Sequence, residues 1–269
     1  MKVPVALGLA ATLLLPATLP AQTRDQARLI FNASIGYIGS ASLWQVTGQP
    51  LYDDLGGEVT IDTLTIKRRI ASTITLGVRG IYFGGDHLGL FGEAFLLGLG
   101  FQDSCARTHT TGSVRNAEVC SSLDQAESAG SAVQVAGGVM YRLSSRKPVS
   151  PYARASLGVG VASRSSIFTT GTFPSLEDDG EPVEVDIYTD RGRTKIYLGG
   201  SLGAGFTAQL APGYQLRWEV RDNMVRIPTV AGPTAQDGVP PETTGRLRHL
   251  WSMEIGFDVV LERRHGRRY

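Results

Sequence analysis

Hydrophobic and polar residues alternate with a period of two along eight stretches of this chain. The last, residues 247–262 (LRHLWSMEIGFDVVLE), sets Trp251, Met253, Ile255, Phe257, Val259 and Leu261 on one face and Ser252, Glu254, Gly256 and Asp258 on the other. Successive side chains of a strand point to opposite faces, so the pattern predicts a strand with one apolar surface. It exceeds the about 5–6 residues usual in a globular sheet and reaches the about 9–11 that cross a bilayer with tilt. The same alternation predicts strands over 29–39, continuing toward Trp44, and over 70–83, 88–102, 131–143, 151–165, 194–210 and 214–226. The third is untidy: Glu93 shares a face with Phe91, Phe95, Leu97 and Leu99, which calls for a register-shifting bulge or a place for Glu93 near an interface.

The connections run long, short, long, short, long, short, long. Residues 47–69 read as a long loop able to hold a short hairpin over 59–66, and 103–130 as a polar, serine-rich loop. Residues 168–193 form a third, acidic around Glu177 and Glu181, and 227–246, with four prolines, a fourth. The intervening segments 84–87, 144–150 and 211–213 are short turns or polar links. An even strand number with this alternation belongs to a transmembrane barrel with long extracellular loops and short periplasmic turns. A soluble sandwich predicts no such order. The predicted fold class is all-β, an eight-stranded antiparallel up-and-down transmembrane barrel.

Residue size decides which face meets lipid. The polar faces are crowded with small residues, as at Gly199, Ser201, Gly203 and Gly205, which suit the narrow interior of eight strands, while bulky residues fill the apolar faces. Aromatics gather near stretch ends, at Tyr82, Phe83, Tyr141, Tyr214 and Trp251, where interfacial girdles lie. The inward set then holds Arg79, Arg142, Arg154, Arg217, Glu219, Arg221, Glu254 and Asp258. Buried charges require partners. Glu254 and Asp258 of the last strand are expected to pair with Arg221 and Arg217 of the seventh, joined across the barrel by Arg79 and Arg154, giving a plugged lumen and not a wide pore. Charges that merely line water are the competing reading.

Composition adds a compartment. Residues 1–21 carry Lys2, an apolar run and a small-residue end at Ala21, the form of a secretory signal peptide; Pro16 and Pro20 interrupt a run shorter than the roughly 20 apolar residues of a spanning helix. The barrel is expected over 22–262 and a basic tail over 263–269. Without Lys2, 25 basic residues face 25 acidic ones, so nothing steers the chain toward nucleic acid. Thirty-three glycines and a near-zero mean hydropathy fit a barrel, in which one strand residue in two is apolar. Cys105 and Cys120, beyond the cytoplasm, are expected to form a disulfide; two thiols with His109 nearby do not make a four-ligand zinc site.

The signal peptide, the glycine-rich strands exemplified by Ser201-Leu202-Gly203-Ala204-Gly205-Phe206 and the final strand together resemble the OmpA-like or OmpX-like eight-stranded outer-membrane barrels of Gram-negative bacteria. Glu254, Gly256, Val259 and Leu261 are similar to the polar-x-Gly-x-x-apolar-x-apolar signal read by the barrel assembly machinery in that group. The resemblance implies a monomer in outer-membrane lipid with that machinery as a partner. Its departure is the end of the chain, where Arg263 to Tyr269 follow a signal that commonly finishes on an aromatic residue. They read as a solvated tail, with contact to anionic phospholipid as the alternative.

Catalytic chemistry finds little support. Some barrels of this size resemble lipid A deacylases and palmitoyltransferases, which use His with Ser and an acid. Here His87 falls in a short turn and His265 in the tail, His109 lies in the cysteine loop near Ser104, Ser113 and Glu118, and His249 faces lipid while Ser252 points inward. Gly199-Gly200-Ser201-Leu202-Gly203 lies mid-strand, not on a nucleophile elbow. No catalytic residue, cofactor or metal is expected. The expected role is surface interaction or envelope integrity, with a lipid-modifying enzyme or a small-ligand barrel as the alternative.

Overall fold

The computed structural model describes residues 28–54, 59–125, 127–128, 130–144, 147–174, 181–190 and 196–262. Eight strands form a closed antiparallel barrel: β1 (Arg28–Ile38), β4 (Thr73–Phe83), β5 (Leu88–Gly98), β8 (Ser131–Arg142), β9 (Val149–Ala162), β12 (Ile196–Ala211), β13 (Tyr214–Val230) and β14 (Thr243–Glu262). Each strand pairs with its neighbours in sequence around the wall, and β1 closes the ring between β14 and β4, from Arg28↔Glu262 to Ile38↔Ser252 on one side and from Arg28↔Phe83 to Ile38↔Thr73 on the other. They fall on the eight alternating stretches of the sequence, though β5 stops at Gly98, short of the expected residue 102.

The burial pattern shows why the alternation matters. Phe31, Ile35 and Tyr37 of β1 and Ile74, Leu76 and Val78 of β4 are half-exposed or more on the outer surface, whereas Asn32 and Arg79 are 4% exposed inside. Leu157, Val159, Leu198, Leu202, Trp251 and Met253 continue the apolar outer surface around the barrel. A soluble barrel hides its bulky apolar residues; this one turns them outward and hides its charges, the arrangement a hydrocarbon solvent favours.

At one end the strands are joined through residues 84–87, 143–148 and 212–213. At the other end rises a cap. It comprises a four-stranded sheet of β2 (Ala41–Asp53), β3 (Thr60–Ile70), β6 (Phe101–His109) and β7 (Glu127–Ser128), the helix α1 (Val114–Gln125), and the hairpin β10 (Thr169–Pro174) with β11 (Pro182–Tyr188). Ser113 caps α1, its Oγ accepting from the Asn116 N–H at 3.1 Å while donating to Asp53 Oδ2 at 2.5 Å. The Cys105–Cys120 disulfide, with Cα atoms 5.4 Å apart, ties α1 to β6. One continuous apolar core runs from the barrel mouth into the cap, through Ile38, Leu97 and Leu250 to Leu43, Leu64, Ile66, Leu123 and Ile187.

The cap corrects several expectations. Strand β1 ends at Ile38 and does not continue toward Trp44; that segment is β2. Residues 47–69 are largely β2 and β3, and 103–130 hold β6, α1 and β7, where the sequence reads as loop. Register shifts at Ser42/Trp44 and Thr47/Gln49 break the period of two in β2, so its strand pattern is not visible along the sequence. Strands β13 and β14 stay paired as far as Val230↔Thr243, shortening the last connection. Pro228 is tolerated there because its C=O accepts from Ser166 Oγ at 2.7 Å. In a strand the N–H and C=O of one residue point to the same edge, so the donor that proline lacks falls on the side away from β14. Glu93 needs neither bulge nor interface: β5 pairs without a register shift, from Phe83↔Gly89 to Thr75↔Leu97 on one side and from Leu88↔Tyr141 to Gly98↔Ser131 on the other, and carries Phe91, Glu93, Phe95 and Leu97 inward together. The expected leader and basic tail lie outside the described residues.

Candidate functional site: the barrel lumen

Inward-facing residues stack in layers along the barrel axis. Nearest the tight turns is an apolar layer of Ile30, Ile81, Phe83, Phe91, Met140 and Tyr152. Arg142 closes it, with its guanidinium 3.8 Å from the centre of the Phe83 ring and its Nε donating to Asp86 O at 2.6 Å. Above it Arg217 Nη2 meets Asp258 Oδ2 at 2.6 Å, and Asn32 Nδ2 donates to Asp258 Oδ1 at 2.6 Å. Asp258, on the last strand, is thereby held by the strands on either side of it.

The next layer brings together five of the predicted charged residues, Arg79, Arg154, Glu219, Arg221 and Glu254, and adds Glu93. Arg221 Nη2 lies 2.8 Å from Glu254 Oε2 and 2.9 Å from Glu219 Oε1. Arg79 reaches Glu93 at 3.0 Å, Glu219 at 3.2 Å and Glu254 at 3.6 Å. Arg154 pairs with both oxygens of Glu93, one through Nη1 at 2.8 Å, and reaches Glu219 at 3.3 Å. Three guanidinium groups thus meet three carboxylates, so the layer is formally neutral despite side chains that are almost wholly buried. Phe91 stacks on Arg154 and Phe95 on Arg221, at 4.2 and 5.1 Å from ring centre to Cζ. Tyr152 donates to Glu219 at 2.7 Å.

Glycine makes room for these groups. A Cβ on Gly203 would come 3.2 Å from Arg154 Cγ and 3.3 Å from Glu219 Oε1, and one on Gly36 would come 2.6 Å from Glu254 Cγ and 2.7 Å from the Met253 carbonyl oxygen. The packing leaves about 0 Å³ for a water-sized sphere among Arg79, Glu93, Arg221 and Glu254, and about 10 Å³ among Met140, Arg142, Tyr152 and Arg217. A single water needs at least about 10–15 Å³.

Of the four residues matching the assembly signal, Glu254 faces the network, Gly256 packs against Asn32 and Ser34 of β1, and Leu261 is exposed on the outer surface; Val259 pairs with Phe31 and Tyr214. Several residues of the site escape the sequence reading, Asn32, Tyr152 and Glu93 among them. For Glu93 the signal is present: a carboxylate midway along a spanning strand is costly against hydrocarbon, so charge and not aromatic bulk sets the face of β5. Asp222, outside the lumen, escapes it too. It accompanies outward-facing His249, whose Nδ1 lies 2.7 Å from Asp222 Oδ2. In the cap, the Tyr188 hydroxyl donates to Gln49 Oε1 at 2.9 Å, and burial pushes its phenol well above the usual tyrosine range. Among the described residues no group of three His, Cys, Asp or Glu side chains is placed to hold a metal ion.

Neither a protein-family model nor a curated protein matches the chain. Among solved structures, it is similar to outer membrane protein OprG from Pseudomonas aeruginosa, at 14% identity and a TM-score of 0.44, with 89% of this chain and 98% of that one covered. It is similar to Neisserial surface protein A at 10% identity and 0.40, covering 87% and 97%. Ail, the attachment invasion locus protein of Yersinia pestis, is similar at 11% identity and 0.36, covering 88% and 99%. On its own strand pairing, this chain is a closed eight-stranded antiparallel up-and-down barrel, the architecture of the outer-membrane β-barrels.

Proposed function

We propose that this protein resides in the bacterial outer membrane as a non-conducting barrel that displays the cap at the cell surface, serving surface contact or envelope integrity. The observation that carries this reading is the neutral layer of three arginines and three glutamates packed across the lumen, with no space for a water among Arg79, Glu93, Arg221 and Glu254. A solute path would need that space. Charges are also a poor means of stabilising a core, because apolar residues of similar volume do as well or better. Their benefit here is directional: each guanidinium fork bridges strands on opposite sides of the barrel and holds the cross-section closed.

The cap is suited to display because it is folded. Its sheet, helix and hairpin share the core of the barrel mouth, and the disulfide fixes α1. An apolar girdle in lipid and a leader removed on export complete the reading, with the barrel assembly machinery as the partner that inserts the chain. The test is topological. A cysteine introduced at exposed Val183 in the cap should react with a membrane-impermeant maleimide on intact cells, whereas one at exposed Pro212 in a tight turn should react only after lysis. The reverse pattern, or protein recovered in a soluble fraction, overturns the proposal.

A further inference from the structure

Above the charged layer and the buried polar residues Gln134, Ser201, Asn223 and Ser252 the lumen changes character. Its inward residues become Leu97, Tyr197, Val225 and Leu250, and the space they surround is not filled: a cavity of about 310 Å³ lies between them, Phe101, Ile167 and Ile227. Protein interiors close-pack and leave few voids larger than one water, whereas about 300 Å³ is where ligand pockets begin. An apolar cavity gains nothing from water, so its natural occupant is apolar. The charged layer below gives it a floor, making it a dead-end pocket and not a conduit.

Strand β12 stays paired with β9 up to Ile196↔Val161, and β13 stays paired with β14 up to Val230↔Thr243. Yet the last pair between β12 and β13 is Gly199↔Val225. Beyond it the ladder stops, and on that edge of β13 Ser166 Oγ donates to Pro228 O at 2.7 Å. Ile196, 60% exposed on the outer, apolar face of the wall, also lines the cavity, so the cavity's edge lies close to that face. At the rim stands Arg164, exposed and without an ion pair among the described residues, whereas Asp190 beside the same cavity is already engaged within the protein. A free guanidinium over an apolar slot favours a carboxylate or phosphate head.

We propose that this cavity binds one acyl chain carrying an anionic head, with the chain among Leu97, Val225, Ile227 and Leu250 and the head at Arg164. A membrane phospholipid and a free fatty acid share this chemistry, and the experiment separates them. Native mass spectrometry of protein released from the cell envelope in an amphipathic polymer reads a retained phospholipid directly. Palmitate is then titrated into the lipid-stripped protein while methyl NMR signals are followed. The proposal expects saturation at one equivalent, with shifts at Leu97, Val225, Ile227 and Leu250 and none at lipid-facing Leu157 and Leu202. Retained phospholipid assigns the site to membrane lipid; binding of added palmitate alone assigns it to free fatty acid. The variant Ala162→Phe, which places a ring in the cavity, should weaken binding at least tenfold, and Arg164→Gln should weaken palmitate but not hexadecanol. Neither ligand bound, shifts confined to the outer face, or unchanged affinity in a folded Ala162→Phe overturns the pocket. Equal weakening of palmitate and hexadecanol by Arg164→Gln overturns the head assignment. If Ala162→Phe fails to fold, the wild-type methyl titration decides alone.

Discussion

Replacing Arg154 by methionine removes one of three positive charges from a layer that balances three negative ones. The Arg154 side chain is 0% exposed, and its partners Glu93 and Glu219 are 2% and 1% exposed. The loss strands a carboxylate charge where water cannot reach it, and breaking a buried pair in this way costs about 3–5 kcal/mol. Glu93→Gln strands a guanidinium and should cost a similar amount. The double variant Arg154→Met/Glu93→Gln removes both charges, leaves Arg79 and Arg221 facing Glu219 and Glu254, and restores neutrality. It should therefore be destabilised by less than the sum of the single variants, with a coupling of about 2 kcal/mol or more. Urea unfolding of the protein in lipid vesicles, followed by the fluorescence of outward-facing Trp218 and Trp251, measures all three. Additive losses, or single variants within about 0.5 kcal/mol of wild type, would refute the coupled network.

Other parts of the structure make their own predictions. Serine at Cys105 and Cys120 should cost the cap about 3 kcal/mol, the value for closing a loop of this size, and limited proteolysis should then cut near α1 while the barrel stays folded. Gly36→Ala forces a methyl against Glu254 and the β14 backbone and should lower stability by about 1–3 kcal/mol, read as a shift in the urea midpoint with an unchanged slope. Tyr188→Phe should cost only about 1 kcal/mol, because Gln49 Oε1 still accepts from the Thr234 N–H at 2.9 Å; thermal unfolding of the cap checks this.

The barrel is legible along the sequence and the cap is not, for one physical reason. Every barrel strand turns one face to a uniformly apolar outside, so Phe31, Ile35 and Tyr37 alternate against Asn32 and Ser34. In the cap the strands carry register shifts, and Leu43 and Trp44 are buried side by side. Helix α1 buries Asn116, Val119, Cys120 and Leu123 among polar neighbours, too few apolar positions to show a helical stripe. The lumen lies between these extremes. Arg79, Arg154, Arg217, Arg221, Glu254 and Asp258 stand out because an ionised side chain midway along a spanning strand is driven inward. Glu93 is obscured by aromatics that face inward to stack on arginines, a contact no period reveals. The apolar cavity leaves a faint mark, since β13 turns apolar on both faces at Met224 and Val225 and β5 does so from Phe95 to Leu97. Its existence depends on how three connections fold over the mouth, which the local pattern does not contain.

The closed lumen is tested most directly by planar-bilayer recording of the folded protein. Wild type should show no stable conductance, because the paired charges of Arg79, Glu93, Arg154, Glu219, Arg221 and Glu254 are packed across the lumen. A stable open level carried by the wild-type barrel would contradict the closed lumen.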